Sequence, residues 1–295
     1  MKRNVIDHDS LSRIETALMY FNNPMNGYFG GNRKSAAYGS TVEFADYREY
    51  MPGDDLRRID WNVFARFDKY MTRLFVDERR IHTQIFIDCS ASMAWGEPEK
   101  AQTALRLAAI FGYLSVRISD RVSYKLIKGK SCVDLCGEFY GKEAFYRAAD
   151  KLSYTDFNGD ADLAAGISKC ENPGFNNGLT VIISDFFTDS NWKSAVDFLL
   201  HRKRRVLLAQ ILSPDEISPE YSGRIQFIDS EAADGDDYRN LRLDIGKSSM
   251  KVYTQTLQLY EKDIKNFCNS RNVDFLSFST ADSLEKTMFR KGVIR

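Results

Sequence analysis

Two nearly continuous apolar runs, each ending at an aspartate, constrain this chain more than any other feature. Gln84-Ile85-Phe86-Ile87-Asp88 is the first. Leu179 to Ser184, followed at once by Asp185, is the second, and Val206 to Leu212 is a third apolar run. A strand with one wet face alternates polar and apolar residues, whereas runs with few polar positions belong to strands covered on both faces. Helical stretches separate the runs. Pro98 to Ile118 carries Leu105, Ala108, Ala109, Phe111 and Leu114 on one broad apolar face. Glu143 to Leu152, Asp160 to Cys170 and Trp192 to Arg204 also read as helices. Strands alternating with helices predict an α/β fold, a mostly parallel sheet with helices on both faces.

The rest of the chain fits around that frame. Arg121 to Tyr140 holds two strand-like stretches about Lys128-Gly129-Lys130, a hairpin. Residues 213–246 are turn-rich, with short strands near Ile225 to Ile228 and Leu241 to Ile245. A long helix over Ser249 to Ser270, a strand over Val273 to Ser279 and a short helix from Ser283 complete the C-terminal part. Upstream, the spacing of Leu11, Ile14, Ala17, Leu18 and Phe21 predicts a helix over Ser10 to Phe21, and Asn, Gly and Ser make residues 22–40 a loop. Phe44 to Arg80 is dense in aromatic and charged residues around the turn signal Met51-Pro52-Gly53-Asp54-Asp55. Residues 1–80 therefore read as an N-terminal extension and residues 81–295 as the main domain. With no linker near Arg80, the extension is expected to pack on that domain.

Charge and cysteine usage narrow the function classes. The 41 basic and 41 acidic side chains cancel, where a nucleic-acid binder shows a basic excess or stripe. The one dense basic run, His201 to Arg205, reads as a solvated helix end, where cations suit the dipole. Five cysteines, odd in number and irregular in spacing, argue against a disulfide scaffold. The N-terminus has no apolar core of a secretory signal, and no run reaches membrane-spanning length, so the expected compartment is the cytoplasm.

In open parallel sheets, ligands collect at the C-terminal strand ends. Asp88 and Asp185 both stand there, and the first continues as Asp88-Cys89-Ser90-Ala91-Ser92. Carboxylates and hydroxyls are hard oxygen donors of the kind magnesium accepts. Ser90 and Ser92 would coordinate directly, Asp88 would hold a water or a serine hydroxyl, and Asp185 would add charge. The competing reading is helix capping by the same Asp and Ser residues. Cys89 reads as a small buried filler, since no histidine stands near it in sequence to activate it.

Asp88-x-Ser90-x-Ser92, with Asp185 after an apolar strand, resembles the metal-ion-dependent adhesion site of von Willebrand factor A domains. The likeness extends upstream through Glu43-Phe44, Arg48-Glu49-Tyr50-Met51-Pro52-Gly53-Asp54-Asp55, Arg57-Arg58-Ile59-Asp60-Trp61, Ala65-Arg66 and Glu78. This ordered series resembles the bacterial family called domain of unknown function 58. The resemblance implies a von Willebrand factor A-like (Rossmann-like) domain and a bound Mg2+ or Mn2+. It also implies partnership with a MoxR-type AAA+ ATPase, as its adaptor or target, together with an unknown client protein. One position departs from the adhesion-site pattern: Ala161 stands where a threonine is expected, so either Asp160 or Asp162 substitutes through a water, or the site is weak or empty; Thr155 lies nearby in sequence.

Three function classes follow. The first is a non-catalytic protein-interaction module using Asp88, Ser90, Ser92, Asp185 and Asp160. The second is a magnesium-dependent phosphohydrolase, disfavoured because Ser90 stands where that chemistry needs a second acid. The third is a metal-free structural subunit. A second surface is also in play. Arg48, Asp54, Asp55, Arg57, Arg58, Trp61 and Arg66 read either as an internal ion network or as a docking surface, where exposed aromatic and arginine residues concentrate binding energy.

Overall fold

The computed structural model describes residues 2–6, 12, 44–75, 81–170, 178–188, 190–219, 221, 223–227 and 241–290. The helix expected over Ser10 to Phe21 and the loop over 22–40 lie outside the described residues, as do Glu43 and Glu78 of the upstream series. The chain forms two compact units, one of residues 26–80 and one that joins residues 1–25 to 81–295.

In the smaller unit, β1 (Phe44–Glu49) pairs antiparallel with β2 (Met71–Phe75). A 3-10 turn at Leu56–Arg58 and the helix α1 (Trp61–Phe67) lie between them in sequence. The acids of this stretch are cap residues. Asp55 accepts from the Arg57 N–H, and Asp60 accepts from the N–H groups of Asn62 and Val63. Each thereby satisfies donors that a helix start leaves unpaired. Gly53 has φ 108, which explains the glycine in the turn signal.

The larger unit begins with β3 (His82–Asp88), α2 (Lys100–Arg117), β4 (Arg121–Lys128), β5 (Ser131–Asp134), α3 (Lys142–Leu152) and α4 (Leu163–Cys170). It continues with β6 (Gly178–Ser184), α5 (Trp192–His201), β7 (Arg204–Leu212), α6 (Pro214–Ile217) and the β8 (Gly223–Phe227) and β9 (Leu241–Ile245) pair. It closes with α7 (Lys247–Arg271), β10 (Asp274–Ser279) and α8 (Leu284–Arg290). The main sheet has six strands in the order β10-β7-β6-β3-β4-β5. Every neighbouring pair is parallel except the β4–β5 hairpin. Numbered within the sheet, the order is 3-2-1-4-5-6, the doubly wound arrangement whose switch point lies between the first and fourth strands. Those strands are β3 and β6. The expected mostly parallel sheet is present.

Strand alternation divides the core between the two faces. Phe86, Ile182 and Leu208 join Leu163 and Ile167 of α4, Val196 and Leu199 of α5, and Ile264 and Cys268 of α7 in one buried cluster. Helix α2 packs against β3, β4, β6 and β7, and its Tyr113 ring lies 5.4 Å from Phe145 of α3. Among the described residues, no helix is long and apolar enough to cross a membrane.

Two expectations need correction and one needs completing. The basic run is not simply a solvated helix end. Helix α5 stops at His201, and Arg204 belongs to β7, 2% exposed, with Nη2 donating to the carbonyls of His82 (3.0 Å) and Leu179 (2.8 Å). A guanidinium can be buried there because backbone oxygens satisfy its donors. The cysteine spacing argues against a disulfide scaffold but does not show that Cys132 of β5 and Cys170 of α4 form one disulfide, their Cα atoms 5.5 Å apart. One such bond is not a scaffold, but it ties the hairpin to the helix. Finally, α4 begins at Leu163 rather than Asp160, because the Asp162 carboxylate accepts from the Ala165 N–H and ends the preceding loop.

Candidate functional site

Register brings the two aspartates together. Ile87 of β3 stands opposite Ile183 of β6, so both chains leave the sheet side by side at its switch point. Asp88 and Asp185 are each 2% exposed. One Asp88 oxygen, Oδ1, accepts from the Ser90 N–H at 3.0 Å, and the other, Oδ2, accepts from the Ser184 hydroxyl at 2.6 Å. Burial is the main cause that raises the Asp88 pKa, and the nearby Asp185 charge raises it further; the bonds from Ser184 and Ser90 oppose the shift. Two carboxylates drawn out of water beside one another disfavour each other's charge.

Ser90 and Ser92 stand in the loop that leaves β3 after Asp88. Ser90 begins a short 3-10 turn, Ala91–Ala94, but its side chain makes no capping bond. Its hydroxyl instead lies 3.0 Å from that of Ser92. Adjacent ligands of an octahedral cation at about 2.0–2.1 Å lie about 3 Å apart, so the two hydroxyls match one edge of a magnesium coordination shell. The same distance is that of an ordinary hydrogen bond, and Asp88 accepts from the Ser90 N–H as a cap residue would.

The third loop closes onto the first through its backbone. The Ala91 N–H donates to Gly159 O at 2.8 Å, and the Asn158 N–H donates to Cys89 O at 3.0 Å. Ala161 is buried and bridges to Gly129, so no hydroxyl is offered there. Asp160 is exposed, and Asp162 is occupied as the cap of α4. Cys89 is fully buried, and burial pushes its thiol well above the ordinary range, so it is no nucleophile.

Sequence reasoning missed three contributors. Ser184 anchors Asp88, as described. Lys100, the first residue of α2, donates from Nζ to Asp185 Oδ2 at 2.7 Å and to Glu216 Oε1 at 2.6 Å. Glu216 in turn accepts from the Ser213 N–H through Oε2 at 2.8 Å. Burial works to lower the Lys100 pKa, but the two carboxylates outweigh it and the pKa is raised. One signal was available. A lysine in the first turn of a helix opposes the helix dipole and needs an anionic partner.

Two hydroxyls backed by buried carboxylates are donors of the type a hard cation takes, Ala161 adds none, and the Thr155 hydroxyl is buried without a hydrogen-bond partner among the described residues. Among the described residues, no three His, Cys, Asp or Glu side chains converge as an all-protein metal centre would require.

The second candidate surface lies in the smaller unit. Arg48 pairs with Asp54 at 2.6 Å, and Asp60 pairs with Arg73 at 3.2 Å and accepts from the Tyr47 hydroxyl at 2.9 Å. Arg57, Trp61 and Arg66 are exposed, Trp61 at 58%. The segment therefore has an ion-pair network together with individually exposed aromatic and basic side chains.

The profile of a family described as "Protein of unknown function DUF58" matches residues 46–255. Uncharacterized proteins of Mycobacterium bovis and Mycobacterium tuberculosis are 26% identical over 237 residues, covering 79% of this chain and 74% of theirs. Among solved structures, the conserved hypothetical protein BatB from Bacteroides thetaiotaomicron aligns at 12% identity over 72% of this chain and 96% of its own, with a TM-score of 0.44. The SpRpn10 VWA domain aligns at 12% identity over 72% and 95%, with a TM-score of 0.41.

Proposed function

The chain belongs to the DUF58 family, and we propose that it is a non-catalytic protein-interaction module that binds partners at the switch-point edge of its sheet. The observation that carries this reading is the 3.0 Å hydroxyl pair of Ser90 and Ser92 beside the buried carboxylates Asp88 and Asp185. Ser90 and Ser92 would hold Mg2+ or Mn2+, while Asp88 and Asp185 balance its charge from behind. When bound, the cation would offer an open coordination position to a carboxylate of a partner protein. The chain's own part is to hold this edge rigid. Asp88 is fixed by two donors and Asp185 by the Phe187 N–H at 2.9 Å and by Lys100. The nearest thiol, Cys89, is fully buried and takes no part in the edge.

The partners proposed are a MoxR-type AAA+ ATPase and a client, in keeping with the family likeness. The segment that carries the exposed Arg57, Trp61 and Arg66, with Arg48, Asp54, Asp55 and Arg58, is proposed as a second docking surface. Its exposed tryptophan and arginines are of the types enriched at interface hot spots.

Calorimetric titration with Mg2+ and Mn2+ tests the first part. The wild type is expected to bind one equivalent, and Ser90→Ala with Ser92→Ala to lose binding at least about tenfold. A wild type that takes up neither ion would refute the metal edge.

A further inference from the structure

Lys100 is a cation placed where elementary electrostatics disfavours one. It stands in the first turn of the 18-residue helix α2, at the positive end of the dipole, and it is 1% exposed. It stays there because Asp185 and Glu216 grip the same ammonium from two sides, at 2.7 and 2.6 Å. Asp185 comes from the end of β6, Glu216 from α6 and Lys100 from α2, so three elements meet on one charge.

The charge balance shows its consequence. Asp88, Asp185 and Glu216 carry three negative charges as carboxylates, and Lys100 returns one positive charge. The remainder suits one divalent cation. The Asp185 oxygen nearest Lys100 is already committed to it. We infer that Lys100 is an intramolecular counter-ion that competes with the divalent cation for Asp185 and so sets the metal affinity of the edge. The inference rests on the metal-edge reading above. It explains how a site one ligand short keeps its buried acids folded with or without metal: the lysine compensates part of their charge permanently.

Two substitutions separate the possibilities. Lys100→Met keeps the length and apolar stem and removes the competitor. Glu216→Gln keeps an acceptor for the Ser213 N–H but leaves the lysine charge wholly to Asp185. Manganese titration by calorimetry, with thermal unfolding measured with and without Mn2+, is run on wild type and both variants. Lys100→Met is expected to bind Mn2+ about tenfold more tightly or better, and to gain more thermal stability from Mn2+ than wild type does. Glu216→Gln is expected to bind severalfold more weakly. A folded Lys100→Met that binds no more tightly than wild type overturns the inference and leaves the metal edge standing. If neither protein binds Mn2+, both fail. Should Lys100→Met not fold, Glu216→Gln decides: affinity equal to or above wild type overturns the inference.

Discussion

Replacing Lys100 by methionine should cost far more stability than replacing a lysine of similar ion-pair geometry on the surface. Lys100 and Asp185 have side chains 1% and 2% exposed, and Glu216 is 14% exposed. Removing one partner of a buried pair strands the other charge in a poor solvent, which typically costs about 3–5 kcal/mol. Here two carboxylates lose the same partner, so the upper part of that range applies. Lys265 provides the control. It pairs with Glu261 at 3.0 Å, one helical turn away on α7, but with side chains 53% and 27% exposed. Such pairs contribute about 0.3–0.5 kcal/mol. Urea denaturation of Lys100→Met and Lys265→Met, without divalent metal, measures both on one scale. Adding Asp185→Asn to Lys100→Met should recover more than half the loss, because the more deeply buried of the two stranded charges is then gone. The reasoning is refuted if Lys100→Met costs no more than Lys265→Met, or if Asp185→Asn deepens the loss.

Two further predictions concern stability. His82 is 4% exposed, and burial, followed by the charges of Arg204, Lys125 and Arg121, lowers its pKa to about 3. The unfolded chain takes up this proton near pH 6.5 and the folded chain refuses it, so stability falls as pH drops from about 6.5 toward 3, by about 1.4 kcal/mol per unit. His82→Gln should flatten that part of a urea-midpoint profile between pH 7 and 5, and an unchanged slope would contradict the assignment. The Cys132–Cys170 bond closes a loop with a sequence separation of 38. Reduction should therefore lower stability by up to about 4 kcal/mol on the chain-entropy account. A urea midpoint unmoved after thiol titration confirms reduction would refute this.

The parts of the fold legible in sequence are those that repeat locally. Ile85 to Ile87, Leu179 to Ser184 and Val206 to Leu212 announce buried strands because both faces are covered, and the acids that end two of them announce the working edge. Ser90 and Ser92 are legible for the same reason: short spacing in a loop fixes which side chains can converge. What stayed hidden depends on long-range pairing. Lys100 and Glu216 are 116 residues apart, and no periodicity joins them. Arg204 follows a run of basic residues, and only the sheet shows that backbone carbonyls of β3 and β6 receive its guanidinium. Cys132 and Cys170 carry no local mark of their pairing. Asp160 and Asp162 were equal candidates by type, and only the backbone path shows one exposed and the other used as a cap.

The central claim is a divalent cation on the Ser90 and Ser92 hydroxyls. A crystal of the wild-type protein equilibrated with Mn2+ and measured for anomalous scattering tests it most directly. The account predicts one manganese peak within coordination distance of both hydroxyls, with Asp88 behind them and Lys100 still on Glu216. A map with no peak there at millimolar Mn2+, or a peak held only by surface carboxylates elsewhere, would contradict it.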